Sequence, residues 1–387
     1  MTSLSSKQRS QIISRIALLC GSSLFCLLVI EIGYRVLDPF RHITSDEINR
    51  TEHGNLSEYD QTLGWRGVPE GQAELVTECN SVWLQHNRHG FRDVEHDDVG
   101  DHWPTIVFLG DSYTWGYEVE FDEMFVNKLR DMLPRFNIFN LAHRGYGTDQ
   151  ELLTFKRWRH DGPIRWVVLM FSENDVADNN SSFRWDKRKP KYRMIQNELV
   201  LTGVPVPKLA DWTDSPTAER KSASWKRRIK DLLYHSHFLH DLSFRTRLHR
   251  SSKKREKMQV IDDEETDLTL TIDILKELKK EVEMRNARLI VFFIPSKGEI
   301  EQLDGSPAYQ SAVAKLCEKI GIKYFDLAPH FKTTWFRTYF RLGMHWNSKG
   351  HQVAAEAIYE YLIRDVPLEQ KQRDQTKSGR SANKQVR

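Results

Sequence analysis

The spacing of apolar and charged positions changes three times along the chain. Residues 16–30, "IALLCGSSLFCLLVI", carry no charge. Lys7, Arg9 and Arg15 precede this run, and Glu31 and Arg35 close it, while Ile32, Tyr34, Val36 and Leu37 extend its apolar character. The pattern predicts a membrane helix over residues 16–37. The uncharged core is shorter than the ~20 residues that cross a bilayer comfortably, but Arg15 and Glu31 could reach the two interfaces. Residues 38–104 are polar and irregular, and "YDQTLGWRG" and "HGFRD" read as loops or short strands covering a domain.

From Thr105 the apolar runs become short and regularly spaced. "TIVFLG" (105–110), "FNIFNLA" (136–142), "IRWVVLMF" (164–171), "ARLIVFFIP" (287–295) and "IKYFDLAP" (322–329) read as strands. Helical spacing falls between them, at 122–133, 148–159, 268–286, 308–321 and 347–365, with Thr148 as a candidate N-cap. Strands alternating with helices predict a mainly parallel sheet with right-handed crossovers, hence a three-layer α/β/α domain over residues 105–365. An insertion at about 181–260 interrupts it, with a hairpin at 193–207 and a strongly basic stretch at 218–257. Residues 366–387 form a polar, basic tail whose composition predicts disorder. Residues 1–15 are expected in the cytoplasm and the rest outside it, because positive charge precedes the span. An uncleaved signal anchor is the expected state. A cleaved signal is the alternative, but no small-x-small cleavage site follows Ile30.

Bulk properties narrow the function. With 387 residues, 39% hydrophobic and 29% charged, the chain is globular. A net charge of +3, with no zinc-finger, RNP-like or P-loop pattern, argues against nucleic acid. Four cysteines show no metal-ligand spacing, though a Cys79–Cys317 disulfide is an option. His235, His237 and His240 do not share one helical face, so neither a metal nor any other cofactor is expected. The basic stretch reads as a solvated helical insertion, with attraction to anionic headgroups or an acidic glycan as the alternative.

Chemistry collects at the strand ends, where open α/β sheets place their ligands. The first strand ends at Gly110-Asp111-Ser112, the second runs into "NLAHRGYG" with Gly145, the third into "SEND" with Asn174, and His345 precedes the last helix. These parts suit acyl transfer. His345 can take the proton of Ser112, and the backbone N–H groups of Ser112 and Gly145 and the amide of Asn174 can meet an oxyanion. Trp115 and Tyr117 could form a sugar-stacking wall or belong to the core.

"GDSYTWG", "NLAHRGYG", "SEND" and "HWNSKGH", in that order, resemble the SGNH (GDSL-like) hydrolase superfamily, and the anchor with "YDQTLGWRG" and "HGFRD" looks like its membrane-anchored bacterial subgroup. The resemblance implies a flavodoxin-like sheet and an esterase, with Ser112 as nucleophile, His345 as general base and Gly145 and Asn174 as oxyanion donors. It further implies an acylated substrate, with an O-acetylated exported or cell-surface glycan expected from the localisation. An O-acyltransferase and a non-catalytic glycan-binding or assembly protein are the alternatives.

Two positions depart from the pattern. Ser172 stands where the third block usually has glycine, and Leu342 and Gly343 stand where the family places the triad aspartate. The group that orients His345 must then be a backbone carbonyl or a distant carboxylate, with Asp326, Glu173 and Asp149 as candidates.

Overall fold

The computed structural model of the protein describes residues 6–37, 56–97, 103–185, 187–208, 235–246, 264–301, 308–334 and 336–364. The C-terminal tail and most of the basic stretch lie outside the described residues.

Five parallel strands form the central sheet: β5 (Thr105–Gly110), β6 (Asn137–Asn140), β7 (Ile164–Phe171), β12 (Arg288–Phe293) and β13 (Lys323–Asp326). Their spatial order is β13-β12-β7-β5-β6. This is the flavodoxin-like doubly wound order, with a switch point beside β5. Each strand is apolar on both faces because helices cover both. Val167, Leu169 and Phe171 of β7 point to one layer, while Trp166, Val168 and Met170 point to the other. The first layer is closed by α4 (Thr148–Arg157), α7 (Glu264–Met284) and α9 (Ala308–Lys319). The second is closed by α3 (Phe125–Met132), α10 (Ala328–Lys332) and α11 (Ser348–Arg364).

The observed elements lie inside the spans that the apolar spacing predicts, usually a residue or two shorter. Helix α7 is the exception, starting earlier. Thr148 is the first helical residue of α4 and Gly147 holds the cap position, so the threonine does not cap the helix.

Residues 56–97 form two hairpins, β1 (Ser57–Asp60) with β2 (Gly64–Gly67) and β3 (Gln72–Val76) with β4 (Ser81–Gln85). Leu56, Leu75, Val82 and Leu84 from this segment pack with Trp115 and Ala142 into a third apolar cluster beside the ends of β5 and β6. Arg92 is buried, and its guanidinium donates to the carbonyls of Trp115, Gly116 and Val119. The covering segment therefore fixes the loop that follows β5.

Helix α1 (Ser6–Leu37) stands apart from these layers. Within Ser10–Leu37 the most apolar 18 residues have a mean hydropathy of 2.2, and by length and composition this stretch can cross a membrane. Its apolar side chains from Ile12 to Ile30 are exposed. Between α5 (Asn174–Asn179) and α7 lie the short hairpin β8 (Phe183–Arg184) with β9 (Lys187–Arg188), the hairpin β10 (Lys191–Ile195) with β11 (Glu198–Thr202), and a helix, α6, over residues 237–246.

Candidate active site

Strand β5 ends at Gly110, and the chain turns at once into α2 (Ser112–Trp115). Asp111 caps this turn by accepting the Tyr113 N–H at 3.0 Å. Its other oxygen accepts Ser172 Oγ at 3.0 Å and Asn174 Nδ2 at 3.3 Å, which ties the end of β5 to the end of β7. Gly116 ends the turn with φ +83, a left-handed conformation that glycine adopts without strain. The motif around Ser112 is thus a rigid pedestal, with Asp111 structural rather than chemical.

Ser112 Oγ lies 2.8 Å from His345 Nε2. His345 sits on a tight loop between α10 and α11, closed by the Phe340 N–H donating to the His345 carbonyl at 3.0 Å and by a bridge between Tyr339 and Trp346. The rings of Tyr113 and Tyr117 flank the imidazole, at 5.1 and 4.6 Å between centroids. Tyr113 also donates its hydroxyl to the Met344 carbonyl at 2.7 Å, and burial raises its phenol above the ordinary range.

The orienting group is Glu118. Its Oε2 lies 3.1 Å from His345 Nδ1, and its side chain is only 7% exposed. A carboxylate accepts only, so Nδ1 carries the proton and Nε2 is left to accept from Ser112. A carboxylate from outside the His345 loop is one of the two options drawn from the sequence, but none of the three candidates named there supplies it. Asp326 instead accepts from the Ala328 N–H and the Gln310 amide, Asp149 pairs with the buried Lys189 ammonium, and Glu173 stands at the start of α5.

Glu118 holds its place by two means. Its backbone has φ +70, a region a non-glycine residue occupies at a cost of roughly 1–3 kcal/mol unless its surroundings impose it. Arg92 imposes it from the covering segment through the flanking carbonyls, and Asn80 Nδ2 donates to the Glu118 carbonyl at 2.6 Å. Opposite, a Cβ added at Gly343 would lie 3.0 Å from Glu118 Oε2 and 3.2 Å from Oε1. The glycine where the family has its acid is therefore the space that the glutamate fills. The only local hint in the sequence is the acid-rich "YEVEFDE" that follows "GDSYTWG".

Gly145 has φ +70, and the indole of Trp185 lies directly over it, where a Cβ would meet ring carbons at 2.4 to 3.1 Å. Trp185 comes from the tip of the β8–β9 hairpin and is 59% exposed. The sequence reading missed this residue. Of the two aromatics it considered, Trp115 is fully buried and donates its indole N–H to His86 at 3.1 Å, so it belongs to the core. Tyr117 lies against the imidazole.

Asn174 is present at the site but engaged. Its amide donates to Asp111 and, at 3.1 Å, to Asp178, while Oδ1 accepts from Ser172 Oγ at 2.7 Å. Behind it, Asp175 accepts the Ser172 N–H at 2.7 Å. Glu151 of α4 is buried nearby, and neither of its carboxyl oxygens has a hydrogen-bond partner among the described residues. Burial, and then the neighbouring Asp175 and Asp111 charges, push the Glu151 carboxyl well above the ordinary carboxylate range. Burial followed by Asp111 does the same to Asp175.

The optional Cys79–Cys317 disulfide does not form; both thiols are free. Cys317 packs among the apolar residues of α9 under the sheet, whereas Cys79 lies in the covering segment within reach of the Leu342 N–H.

A sequence model of the GDSL-like lipase/acylhydrolase family matches residues 108–353, more than half of the chain. No curated protein matches by sequence. Among solved structures, a member of the lipolytic protein G-D-S-L family from Veillonella parvula DSM 2008 is similar over 67% of this chain and 98% of its own, at 12% identity and a TM-score of 0.38. An acetyl xylan esterase, AlAXEase, is similar over 66% of this chain and 98% of its own, at 11% identity and a TM-score of 0.37.

Proposed function

Because the chain belongs to the GDSL-like lipase/acylhydrolase family, we propose that it is a serine esterase with Ser112 as nucleophile, His345 as general base and Glu118 as the acid that orients the histidine. The observation that carries this reading is the unbroken chain of contacts from Ser112 Oγ to His345 Nε2 and from His345 Nδ1 to Glu118 Oε2.

In this reading Ser112 Oγ attacks the acyl carbon while His345 Nε2 takes its proton. The Glu118 charge stabilises the imidazolium that forms. The tetrahedral oxyanion meets the backbone N–H groups of Ser112 and Gly145. Asn174 contributes a further donor only by turning one amide hydrogen away from Asp111. His345 then protonates the departing alkoxide, leaving an acyl-serine. Water, deprotonated by the same nitrogen, hydrolyses it and returns the proton to Ser112. The non-catalytic alternative rested on the lack of a carboxylate for His345, and Glu118 removes that ground.

The natural ester is a small acyl group, acetyl first, on an exported or cell-surface glycan. Two features support this substrate. Trp185 offers a half-exposed indole beside Gly145, on which a sugar ring can stack. Helix α1 suits a single membrane span, and Lys7, Arg9 and Arg15, which precede its uncharged stretch, favour an N-terminus in the cytoplasm with the catalytic domain outside.

The test is hydrolysis of p-nitrophenyl acetate together with labelling by a fluorophosphonate. Turnover, and a label on Ser112 that is lost with His345→Ala, is expected. A folded protein that neither turns over the ester nor takes the label would overturn the esterase reading. Acetate release from an O-acetylated polysaccharide, reduced by Trp185→Ala while aryl acetate turnover persists, tests the glycan.

A further inference from the structure

The loop that carries His345 is gripped from behind by residues far from it in sequence. Lys297 follows β12 and opens the short helix α8 (Lys297–Ile300). Its side chain is 1% exposed, and its ammonium donates to the carbonyls of Phe340 at 2.7 Å, Arg341 at 2.5 Å and Gly343 at 3.1 Å. These are three carbonyls of one tight loop turned to one point, and buried carbonyls without a donor are costly. The ring of Phe244, on α6, lies 4.6 Å from the same ammonium. Burial pushes Lys297 down to about 8, in keeping with its enclosure.

Helix α6 also grips the loop through Asp241. Arg341 Nε donates to Asp241 Oδ1 at 3.2 Å, with both side chains buried, and Arg245 donates to Oδ2 at 3.0 Å. On its other side α6 rests on the end of α1. Glu31 accepts from Ser236 Oγ at 2.7 Å and from the N–H groups of His237 and Phe238 at 3.0 and 3.1 Å, so a carboxylate of α1 caps the start of α6. Tyr34 donates to Asp241 Oδ2 at 3.2 Å, packs edge-on against Phe238, and lies under the Arg341 guanidinium at 4.6 Å. His240 of α6 meets Glu78 at 3.1 Å, two residues before the Asn80 that holds Glu118.

We propose that the outer end of α1, helix α6 and Lys297 form a brace that positions the His345 loop, with Lys297, Arg341 and Asp241 as positioning residues for ester hydrolysis, so that the membrane helix is a working part of the enzyme and not only a tether. The proposal rests on the esterase reading. Its physical basis is that a displacement of about 1 Å in a reacting group can cost about 10²-fold in rate, and the His345 loop is not itself part of the central sheet.

The experiment uses the full chain in lipid nanodiscs, with p-nitrophenyl acetate as substrate and ¹⁵N-histidine labelling. The downfield Nδ1–H proton of His345 reports its bond to Glu118 whether or not ester is turned over. Lys297→Met is expected to lower kcat by about 30- to 100-fold, Asp241→Asn by about 3- to 10-fold and Tyr34→Phe by about twofold, in proportion to their closeness to the loop. KM stays near wild type, the melting temperature falls most in Lys297→Met, where three carbonyls lose their donor, and least in Tyr34→Phe, and the Nδ1–H signal broadens or moves in the same order as kcat. Should Lys297→Met fail to fold, the isosteric Asp241→Asn still decides. Wild-type kcat and an unmoved signal in Asp241→Asn and Tyr34→Phe would overturn the brace. A wild type that holds the signal but turns over no ester, with the signal still displaced in the variants, keeps the brace and overturns the esterase reading.

Discussion

Ser112 stands on the central sheet, at the end of a strand hydrogen-bonded on both sides, whereas His345 stands on a loop outside that sheet. What fixes the serine is mostly the strand end itself: the Asp111 cap, the Gly116 turn, and the Ser172 and Asn174 contacts at the end of the adjacent strand, with Arg92 holding the end of the turn. Beyond the loop's own Phe340–His345 hydrogen bond and Tyr339–Trp346 bridge, what fixes the histidine comes from elsewhere. Glu118 arrives from the loop after α2, Lys297 from the end of β12, and Asp241 from the insertion. A strand end positions a side chain through backbone geometry alone. A loop needs contacts from its surroundings, and those contacts can be moved to new places in the chain as long as the imidazole still points at the serine.

Substitutions can sharpen or break this contrast. The largest effect is expected on the serine side, where, on the proposed esterase reading, no other group can replace the nucleophile. Ser112→Ala should lower kcat for p-nitrophenyl acetate by about 10⁵-fold or more while leaving the melting temperature unchanged. On the histidine side, Gly343→Asp puts an acid at the family's usual position but drives its Cβ to 3.0 Å from Glu118 Oε2. It should therefore lower kcat, by about 10- to 100-fold as a misplaced base does. In a Glu118→Ala background the same change should instead recover activity relative to Glu118→Ala alone. Equal effects in both backgrounds would show that the two positions do not share one space.

Asn174→Ala should have a smaller effect than the 10²–10³-fold loss usual for a dedicated oxyanion donor, about tenfold, because its amide hydrogens already serve Asp111 and Asp178. Steady-state kinetics with kcat and KM resolved separately checks this.

The smallest effect concerns stability alone. Burial holds the Glu151 carboxyl protonated in the fold at pH values where the unfolded chain has already released that proton. Between those two titrations the folded state binds more protons than the unfolded one, so stability falls as pH rises, by about 1.4 kcal/mol per pH unit for one fully shifted group. Glu151→Gln should lose this slope. Melting curves at pH 5 and pH 8 should converge in the variant relative to wild type, and parallel curves would show that Glu151 is already ionised in the fold.

The contrast also explains what could be read from the sequence. The sheet was legible because its central strands are buried on both faces, so their apolar runs are nearly continuous and bounded by polar turns, as in "TIVFLG" and "IRWVVLMF". The serine turn was legible because serine, cap and glycine are contiguous. His345 was legible by its place before α11. Glu118 was not, since it lies 227 positions from its partner and no local pattern distinguishes it from the neighbouring acids of "YEVEFDE". Lys297 and Trp185 share that difficulty, because each acts through a contact that the fold creates and local spacing does not. Cys79 and Cys317 illustrate the reverse case, where a pairing allowed by count alone is excluded by placement.

The most direct measurement is kcat for Glu118→Gln against wild type on p-nitrophenyl acetate. The substitution keeps the shape of the side chain but removes its charge and lets it present a donor to Nδ1, which disfavours the tautomer that Ser112 needs. A fall in kcat of about 10²–10⁴-fold at unchanged KM and melting temperature is predicted. A kcat within threefold of wild type would contradict the assignment of Glu118 as the acid that orients His345.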